Sequence, residues 1–164
     1  MRISLLAILI SFSLSSFSQT KKETQDWIKE KIESFSYTST SGNNSVKHIY
    51  KVAFTDCKMT ITEVLESYIT GISMDMTTIT EFPVKDLAKP NFVDTDKGVT
   101  LFLRTKTSDN IKEKVVELNK SSTLTEKEYR FSSTAQKDNL PTRLSKAFTT
   151  LVKLCGGQVT KETF

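Results

Sequence analysis

The apolar residues near the end of the chain recur at the spacing of an amphipathic helix. Within residues 140–157 they fall on about a third of the helix circumference, which is the stripe expected of a helix that packs on a core. They are Leu144, Ala147, Phe148, Leu151 and Cys155. Pro141 stands in the first turn, where its missing N–H has no helical partner, and Asp138 or Asn139 is available as the cap. Gly156 and the glycine after it favour the left-handed conformation that ends a helix.

A second amphipathic helix is predicted over residues 21–35. Thr20 and Glu23 have the spacing of a capping box, in which each side chain accepts a hydrogen bond from the other residue's backbone N–H. Apolar residues then form one stripe, which consists of Trp27, Ile28, Ile32 and Phe35. Trp27 is the only tryptophan of the sequence. We interpret its ring as an anchor in the core or at its edge, because large rings gain most from burial.

Between the two helices the apolar period shortens to two residues, which is typical of β-strands. Strands are predicted at residues 48–54, 57–62, 68–82, 92–93, 99–104, 115–118 and 129–131. The strand at 99–104 carries apolar residues on both faces, so we expect it to be central in its sheet or covered on its outer side. Residues 38–45 and 119–127 are polar and are predicted to be loops.

Two features of this region leave alternatives. The phase of the alternation slips at residues 55–56, which indicates either a two-residue turn or a bulge within one long strand. Residues 68–82 fit one long bent strand or a pair of strands equally well. Pro83 is predicted to end this part of the sheet, because proline has no N–H to donate to a neighbouring strand.

The order of these elements predicts an α+β fold. An N-terminal helix, six or seven strands and a C-terminal helix follow one another, with no helix between the strands, which excludes a doubly wound parallel sheet. We predict an antiparallel sheet or a partly open barrel of six or seven strands, with the C-terminal amphipathic helix packed on it.

The first residues have the pattern of a secretory signal peptide. Arg2 precedes an apolar stretch over residues 3–14, and small residues lead to a cleavage position after Ser18. The stretch is short for a membrane span, and no later apolar segment approaches that length. We predict a signal peptide at residues 1–18, a single globular domain at residues 19–164, and an exported protein that is periplasmic or secreted.

Export would permit a disulfide between the two cysteines of the sequence, Cys57 and Cys155. However, Cys155 lies on the apolar stripe of the last helix and Cys57 lies in a predicted strand, where unpaired cysteine often acts as a small buried hydrophobe. Both interpretations stay open, because a bridge requires a short Cα separation that the sequence does not contain.

Residues that carry enzyme and metal chemistry are scarce. His48 is the only histidine, so a site of several histidines is excluded, and any nucleophile activated by histidine would depend on this residue. Residues 94–98 match a calcium-binding loop only in part and are predicted to form a hairpin turn. Asp75, between Met74 and Met76, is the first candidate among the carboxylates for acid–base work. No cofactor or metal is predicted.

The distribution of charge excludes one class of partner. The formal net charge is +4, but the basic residues are spread along the chain. Nucleic-acid binding requires a concentrated basic face with aromatic residues within it. We therefore predict that the protein does not bind nucleic acid.

Three functions are consistent with these residues. The scarcity of catalytic groups favours a noncatalytic binding or interaction module of the cell envelope, whose partner is an unknown envelope protein or a small ligand. The second function is a small carboxylate-based hydrolase that uses Asp75 and His48. The third is a carrier of an apolar ligand that is lined by Ile72, Met74 and Met76.

Two segments resemble known proteins. Residues 139–157 and 56–61 look like short exported proteins of the Bacteroidota to which no function is assigned. The order of strands and closing helix is also similar to pleckstrin-homology-like barrels. Because some of those barrels bind lipid headgroups in a basic loop pocket, this resemblance implies a pocket formed by Lys120, Lys127 and Arg130, as an analogy of architecture.

Overall fold

The computed structural model of the protein describes residues 20–107 and 109–158, so the predicted signal peptide lies outside the described residues. These residues form nine strands and three α-helices. The helices are α1 Lys21–Ser34, α2 Thr134–Lys137 and α3 Leu140–Leu154, and a 3-10 turn spans Val84–Asp86. This order confirms the predicted α+β class. None of the helices in the described part of the chain is long and apolar enough to span a membrane.

The strands form two antiparallel sheets. They are β1 Tyr37–Ser41, β2 Asn44–Thr55, β3 Lys58–Ile69, β4 Ile72–Pro83, β5 Asn91–Thr95, β6 Gly98–Arg104, β7 Ile111–Val115, β8 Lys120–Leu124 and β9 Glu126–Ser132. The large sheet has six strands in the order β1-β2-β3-β4-β7-β8, and the small sheet has three in the order β5-β6-β9. Strand β6 is central in the small sheet, as the apolar residues on both its faces predicted.

The prediction of an antiparallel sheet or partly open barrel of six or seven strands was confirmed in part. The described strands are antiparallel and open, but they number nine and form two sheets, so the barrel alternative and the strand number were wrong. The additional strands β1 and β8 lie in the segments predicted to be loops, residues 38–45 and 119–127. Both are edge strands with mostly exposed side chains. A strand of that kind needs no apolar alternation, because neither of its faces is buried deeply.

Turns resolve the two open alternatives. Strand β2 ends at Thr55 and β3 begins at Lys58, so the phase slip is a two-residue turn with Asp56 in the left-handed region at φ 50°. The next turn is at Thr70 and Gly71. Tyr68 therefore belongs to β3, and β4 is a single strand that ends at the predicted proline.

The two sheets face each other across a common apolar core. We define the inner face of the large sheet as the face that carries Met59, Ile61 and Phe82, all of which are fully buried. Aromatic rings cross the space between the sheets, with the ring centres of Tyr50 and Tyr129 5.5 Å apart in an edge-to-face arrangement. This packing places the inward residues of β2, β3 and β4 opposite β9.

Both long helices complete the same core. Helix α1 begins with the predicted capping box between Thr20 and Glu23. Helix α3 buries its predicted stripe, and its backbone lies close to α1, α2 and the 3-10 turn. The C-terminal helix is therefore packed beside the N-terminal helix as well as over the core. Asn139 occupies the predicted cap position of α3, but it is left-handed and its side chain makes no capping hydrogen bond.

A disulfide ties the end of α3 to the large sheet. The Sγ atoms of Cys57 and Cys155 are 2.14 Å apart and their Cα atoms 5.6 Å apart. Of the two interpretations of the cysteines, the structure therefore has the bridge. Cys57 lies in the turn between β2 and β3, so the bond links that turn to the end of the last helix across 98 positions of the chain.

Candidate functional site

The long central strands of the large sheet extend beyond the small sheet. Strands β2, β3 and β4 have 12 residues each, whereas the strands of the small sheet are shorter. Along the inner face of β4, burial begins at Thr78 and continues to Phe82, while the residues from Ile72 to Met76 are exposed. The distal half of the β3–β4 hairpin thus presents its inner face to solvent.

This exposed inner face is apolar. We define the hairpin patch as four side chains that continue the phase of the core residues past the small sheet: Ile69, Ile72, Met74 and Met76. Ile69 is directly opposite Ile72 across the hairpin. Between 37% and 61% of each patch side chain is exposed. Clusters of exposed apolar side chains of this kind commonly mark binding surfaces.

A small polar cavity lies beside the hairpin patch. Its volume is about 240 Å³. It is lined by His48, Glu63, Leu65, Met76, Thr78, Lys127, Glu128 and Arg130. We call it the charged cavity. Its walls come from β2, β3 and β4 on one side and from β9 on the other, so it is the opening between the two sheets.

Paired charges occupy this cavity. One carboxylate oxygen of Glu63 lies 2.7 Å from His48 Nδ1, and the other lies 4.0 Å from Lys127 Nζ. Lys127 also donates a hydrogen bond to Glu113, and Arg130 pairs with Glu128. The side chains of His48, Glu63, Glu113 and Lys127 are only 13–19% exposed. Carboxylate and ammonium groups at this depth require such partners, because removal from water is costly.

Two tyrosine hydroxyls lie beneath the charged cavity. The Tyr50 hydroxyl donates a hydrogen bond to the Arg130 carbonyl and accepts one from the Arg130 N–H, at 2.8 and 3.0 Å. Burial, together with the nearby Glu63 carboxylate, raises the pKa of Tyr50 far above its usual range. Burial also raises the pKa of Tyr129. Neither the Tyr129 hydroxyl nor the buried Thr80 hydroxyl has a hydrogen-bond partner of acceptable geometry within the described structure.

The outer edge of the hairpin has its own polar arrangement. Strand β7 pairs with β4 only from Thr78 onward. Thr77, the residue before this paired stretch, is held by the β7–β8 turn instead. Its carbonyl accepts a hydrogen bond from the Val116 N–H, and its N–H donates to the Glu117 carboxylate at 2.8 Å. Accepting that backbone N–H lowers the pKa of Glu117 below its usual value. From Met76 back to Ile72, the β4 edge has no neighbouring strand among the described residues.

The predicted ligand-binding residues lie in different places. Met76, Lys127 and Arg130 line the charged cavity, and Met74 belongs to the hairpin patch. Asp75 is exposed on the opposite face of β4, because it alternates with the two methionines. Lys120 is at the start of edge strand β8, paired in register with Val115. The structure therefore does not gather the three cations implied by the barrel resemblance into one basic pocket.

Sequence reasoning did not pair Glu63 with His48 or Glu113 with Lys127. Glu63 and Glu113 stand at inward positions of β3 and β7, in register with the buried Thr78 and Thr80 of β4. The sequence did contain a signal for Glu63: it is a charged residue that continues the alternation of Met59 and Ile61, and therefore lies on the same face of the strand. No such signal existed for Glu113, since β7 spans Ile111–Val115 and Glu113 lies before the predicted strand at 115–118.

A larger cavity of about 490 Å³ lies beside the disulfide, where Lys58, Glu81, Lys85 and Lys112 contribute to its lining.

Among the described residues, no group of three or more histidine, cysteine, aspartate or glutamate side chains is arranged to hold a metal ion. Met76 belongs both to the hairpin patch and to the lining of the charged cavity, so these two features adjoin. Comparison of the chain with protein-family models, with curated proteins and with solved structures found no match.

Proposed function

We propose that this protein is an exported, noncatalytic binding module of the cell envelope and that it binds its partner through the hairpin patch. The observation that carries the proposal is the run of Ile69, Ile72, Met74 and Met76 on the inner face of a hairpin that extends beyond the core. A folded chain gains no stability from apolar side chains that remain in water. Burial by a partner accounts for their position.

The chemistry of the patch suits a protein or peptide partner. Methionine side chains are flexible and polarisable, so they adapt to surfaces of different shape. The patch side chains are 37–61% exposed on the open sheet, which favours a partner surface over an apolar small molecule held as cargo.

Export is supported by two independent features. The first residues have the composition of a secretory signal. Cys57 and Cys155 are at disulfide distance, and such bonds persist in oxidising compartments outside the cytoplasm.

Site-specific photocrosslinking in cells that export the protein tests this proposal. A photoreactive amino acid replaces Met74 in the patch, or Lys51 on the outer face of β2 as the control. We expect a discrete crosslinked species, the same in every preparation, from position 74 and none from position 51. Equal labelling from both positions, or none from either, would contradict the proposal.

Two polar variants test whether the crosslink depends on the apolar surface of the patch. Ile72→Thr and Met74→Thr both place a residue of high β-strand preference at the position while removing apolar surface. Because both side chains are exposed, the free energy of unfolding should stay within about 0.5 kcal/mol of the wild type. We expect the crosslink, now introduced at Met76, to be lost in these folded variants. A retained crosslink would show that the patch is not the binding surface.

The charged cavity favours a second candidate, a hydrolase that uses His48 and Glu63. The 2.7 Å contact between their side chains is the geometry of a base held by a carboxylate. Asp75, the carboxylate first considered, lies on the other face of β4 and does not reach this cavity. A screen of ester, phosphoester and peptide substrates tests the candidate. Turnover that disappears in His48→Ala and Glu63→Gln, but persists in Asp75→Asn, would support it over the binding module.

A further inference from the structure

The β4 edge is unpaired where the hairpin patch lies. Strand β7 pairs with β4 over residues 78–81, and the β7–β8 turn satisfies Thr77. From Ile72 to Met76 the described residues provide a neighbour on the β3 side only. This leaves five residues of free strand edge, which is about 16 Å at the usual rise of a strand.

The direction of the free backbone groups follows from Thr77. Its N–H and C=O both point away from β3, since their partners are Glu117 and Val116. In an antiparallel ladder this direction alternates from residue to residue. Ser73 and Asp75 therefore also point their N–H and C=O groups outward, where they make four hydrogen-bonding groups available to an added strand.

The opposite edge of the three long strands is not available in this way. Strand β1 pairs with the first part of β2. Farther along β2, the Val52 N–H donates a hydrogen bond to the Glu33 carboxylate of α1 at 2.7 Å. A helix side chain therefore covers that edge, whereas the β4 edge between Ile72 and Met76 has no equivalent among the described residues.

The side chains along the free edge define the chemistry of the missing strand. Ile72, Met74 and Met76 lie on the inner face, and Asp75 lies on the outer face. Asp75 is directly opposite Glu66 across the hairpin, and carboxylates in that relation repel each other. Glu66 is paired with Lys47, while none of the described cations lies within salt-bridge distance of Asp75.

Resting on the proposed function, we propose that the partner is an extended peptide segment that adds antiparallel to β4 between Ile72 and Met76. Its residues alternate between apolar side chains, which cover the hairpin patch, and basic side chains, which lie on the outer face beside Asp75. The added strand continues the sheet, as in other complexes that form by strand addition. Backbone hydrogen bonds fix its direction, and the apolar and charged faces fix its register.

The pairing geometry identifies which peptide groups matter. Peptide residues opposite Ser73 and Asp75 form hydrogen-bonded pairs and share their outer face, so these are the basic residues. The apolar residues lie opposite Ile72, Met74 and Met76, and their own N–H groups point away from the protein. In the same peptide, the backbone N–H groups of the basic residues donate hydrogen bonds to β4, whereas those of the apolar residues do not.

Fluorescence anisotropy with the labelled peptide Gly-Val-Lys-Ile-Lys-Val-Gly tests the proposal on the folded, disulfide-bonded protein. We expect saturable binding. Methylation of both lysine amides should weaken binding about tenfold or more, because it removes two hydrogen bonds to β4. Methylation of the isoleucine amide is the matched control and should change binding by less than about twofold, because that amide points away from β4.

Charge is tested in the same assay. Replacing both lysines with glutamate should abolish measurable binding, because Asp75 and Glu66 then face like charges. Asp75→Asn should weaken the lysine peptide about two- to fivefold. Asp94→Asn removes an exposed carboxylate from edge strand β5 of the small sheet and should have no effect. If Asp75→Asn and Asp94→Asn weaken peptide binding to the same extent, the effect comes from the overall charge of the protein, and the proposed contact with Asp75 is wrong.

The outcomes separate this proposal from the function on which it rests. Binding that is lost in Met74→Thr but tolerates lysine-amide methylation means that the patch binds without strand addition; the binding module then stands and strand addition is wrong. No binding of the lysine peptide up to millimolar concentration also overturns strand addition by this chemistry. If the protein alone forms a dimer that Asp75→Pro dissociates, the edge receives a second copy of the chain, and the peptide partner is wrong.

Discussion

The Glu33 carboxylate accepts a hydrogen bond from the Val52 backbone N–H at 2.7 Å. A side chain of the first helix thereby occupies the position that a neighbouring strand would take on β2. Exposed strand edges are potential sites of unwanted pairing, and proteins commonly cover them. Together with the buried Ile28 and Ile32, this contact joins α1, which precedes the sheet in the chain, to the large sheet.

Removing this contact should lower stability. In Glu33→Ala the Val52 N–H loses its partner while it remains partly buried, so we expect the free energy of unfolding to fall by about 1–3 kcal/mol in urea denaturation. Glu30→Ala is the matched control, because Glu30 is exposed and, among the described residues, forms an ion pair with the neighbouring Lys31; its effect should stay within about 0.5 kcal/mol. Equal effects of the two changes would mean that the edge contact does not contribute.

The disulfide should contribute substantially to stability. It closes a loop across 98 positions, and the entropy that it removes from the unfolded chain grows with loop length. We expect the double change Cys57→Ala and Cys155→Ala to cost about 2–5 kcal/mol in urea denaturation under oxidising conditions. A reducing agent should destabilise the wild type and leave the double variant unchanged. If it affects both equally, its action does not depend on this bond.

The two buried tyrosine hydroxyls should differ in their contribution to the free energy of unfolding. Tyr50→Phe leaves the Arg130 N–H and C=O without the hydroxyl that pairs with both, so we expect a loss of about 1–3 kcal/mol. Tyr129→Phe removes a buried hydroxyl that lies near the Thr80 hydroxyl but forms no hydrogen bond of acceptable geometry within the described residues. That change should be neutral within about 0.5 kcal/mol, or stabilising. Thermal and urea unfolding of the pair measure the difference, and the reverse order would contradict the assignment.

The Glu117 carboxylate at the β4 edge should have a lowered pKa. Because Glu117 accepts the Thr77 N–H, its pKa in the folded protein lies below the usual 4.5. A depressed pKa means that the stability from this contact is present above the unfolded value and is lost as the pH falls through the folded value. Carbon-detected NMR titration should give a midpoint below 4.5, and Glu117→Gln should remove that resonance and flatten the acid limb of the stability profile. A midpoint at or above 4.5 would contradict the hydrogen bond.

Some of these contacts were accessible from the sequence and others were not. Helix periodicity and end signals predicted α1 and α3, and the capping box at Thr20 is present. Alternation predicted the core strands, because burial of one face imposes a period of two. Strands β1 and β8 escaped this reasoning, since a polar edge strand forms through backbone pairing with its neighbour and leaves no apolar pattern of its own.

The sequence by itself determined the α+β class, both amphipathic helices and the presence of apolar residues at Ile72, Met74 and Met76. It did not determine whether these side chains are buried, because a period of two looks the same on a covered and an uncovered part of a strand. Only the tertiary structure decided that the small sheet ends before the tip of the hairpin, which exposes the hairpin patch, and that His48 meets Glu63 and not Asp75. These outcomes depend on strand length and register between distant segments, which local periodicity does not encode.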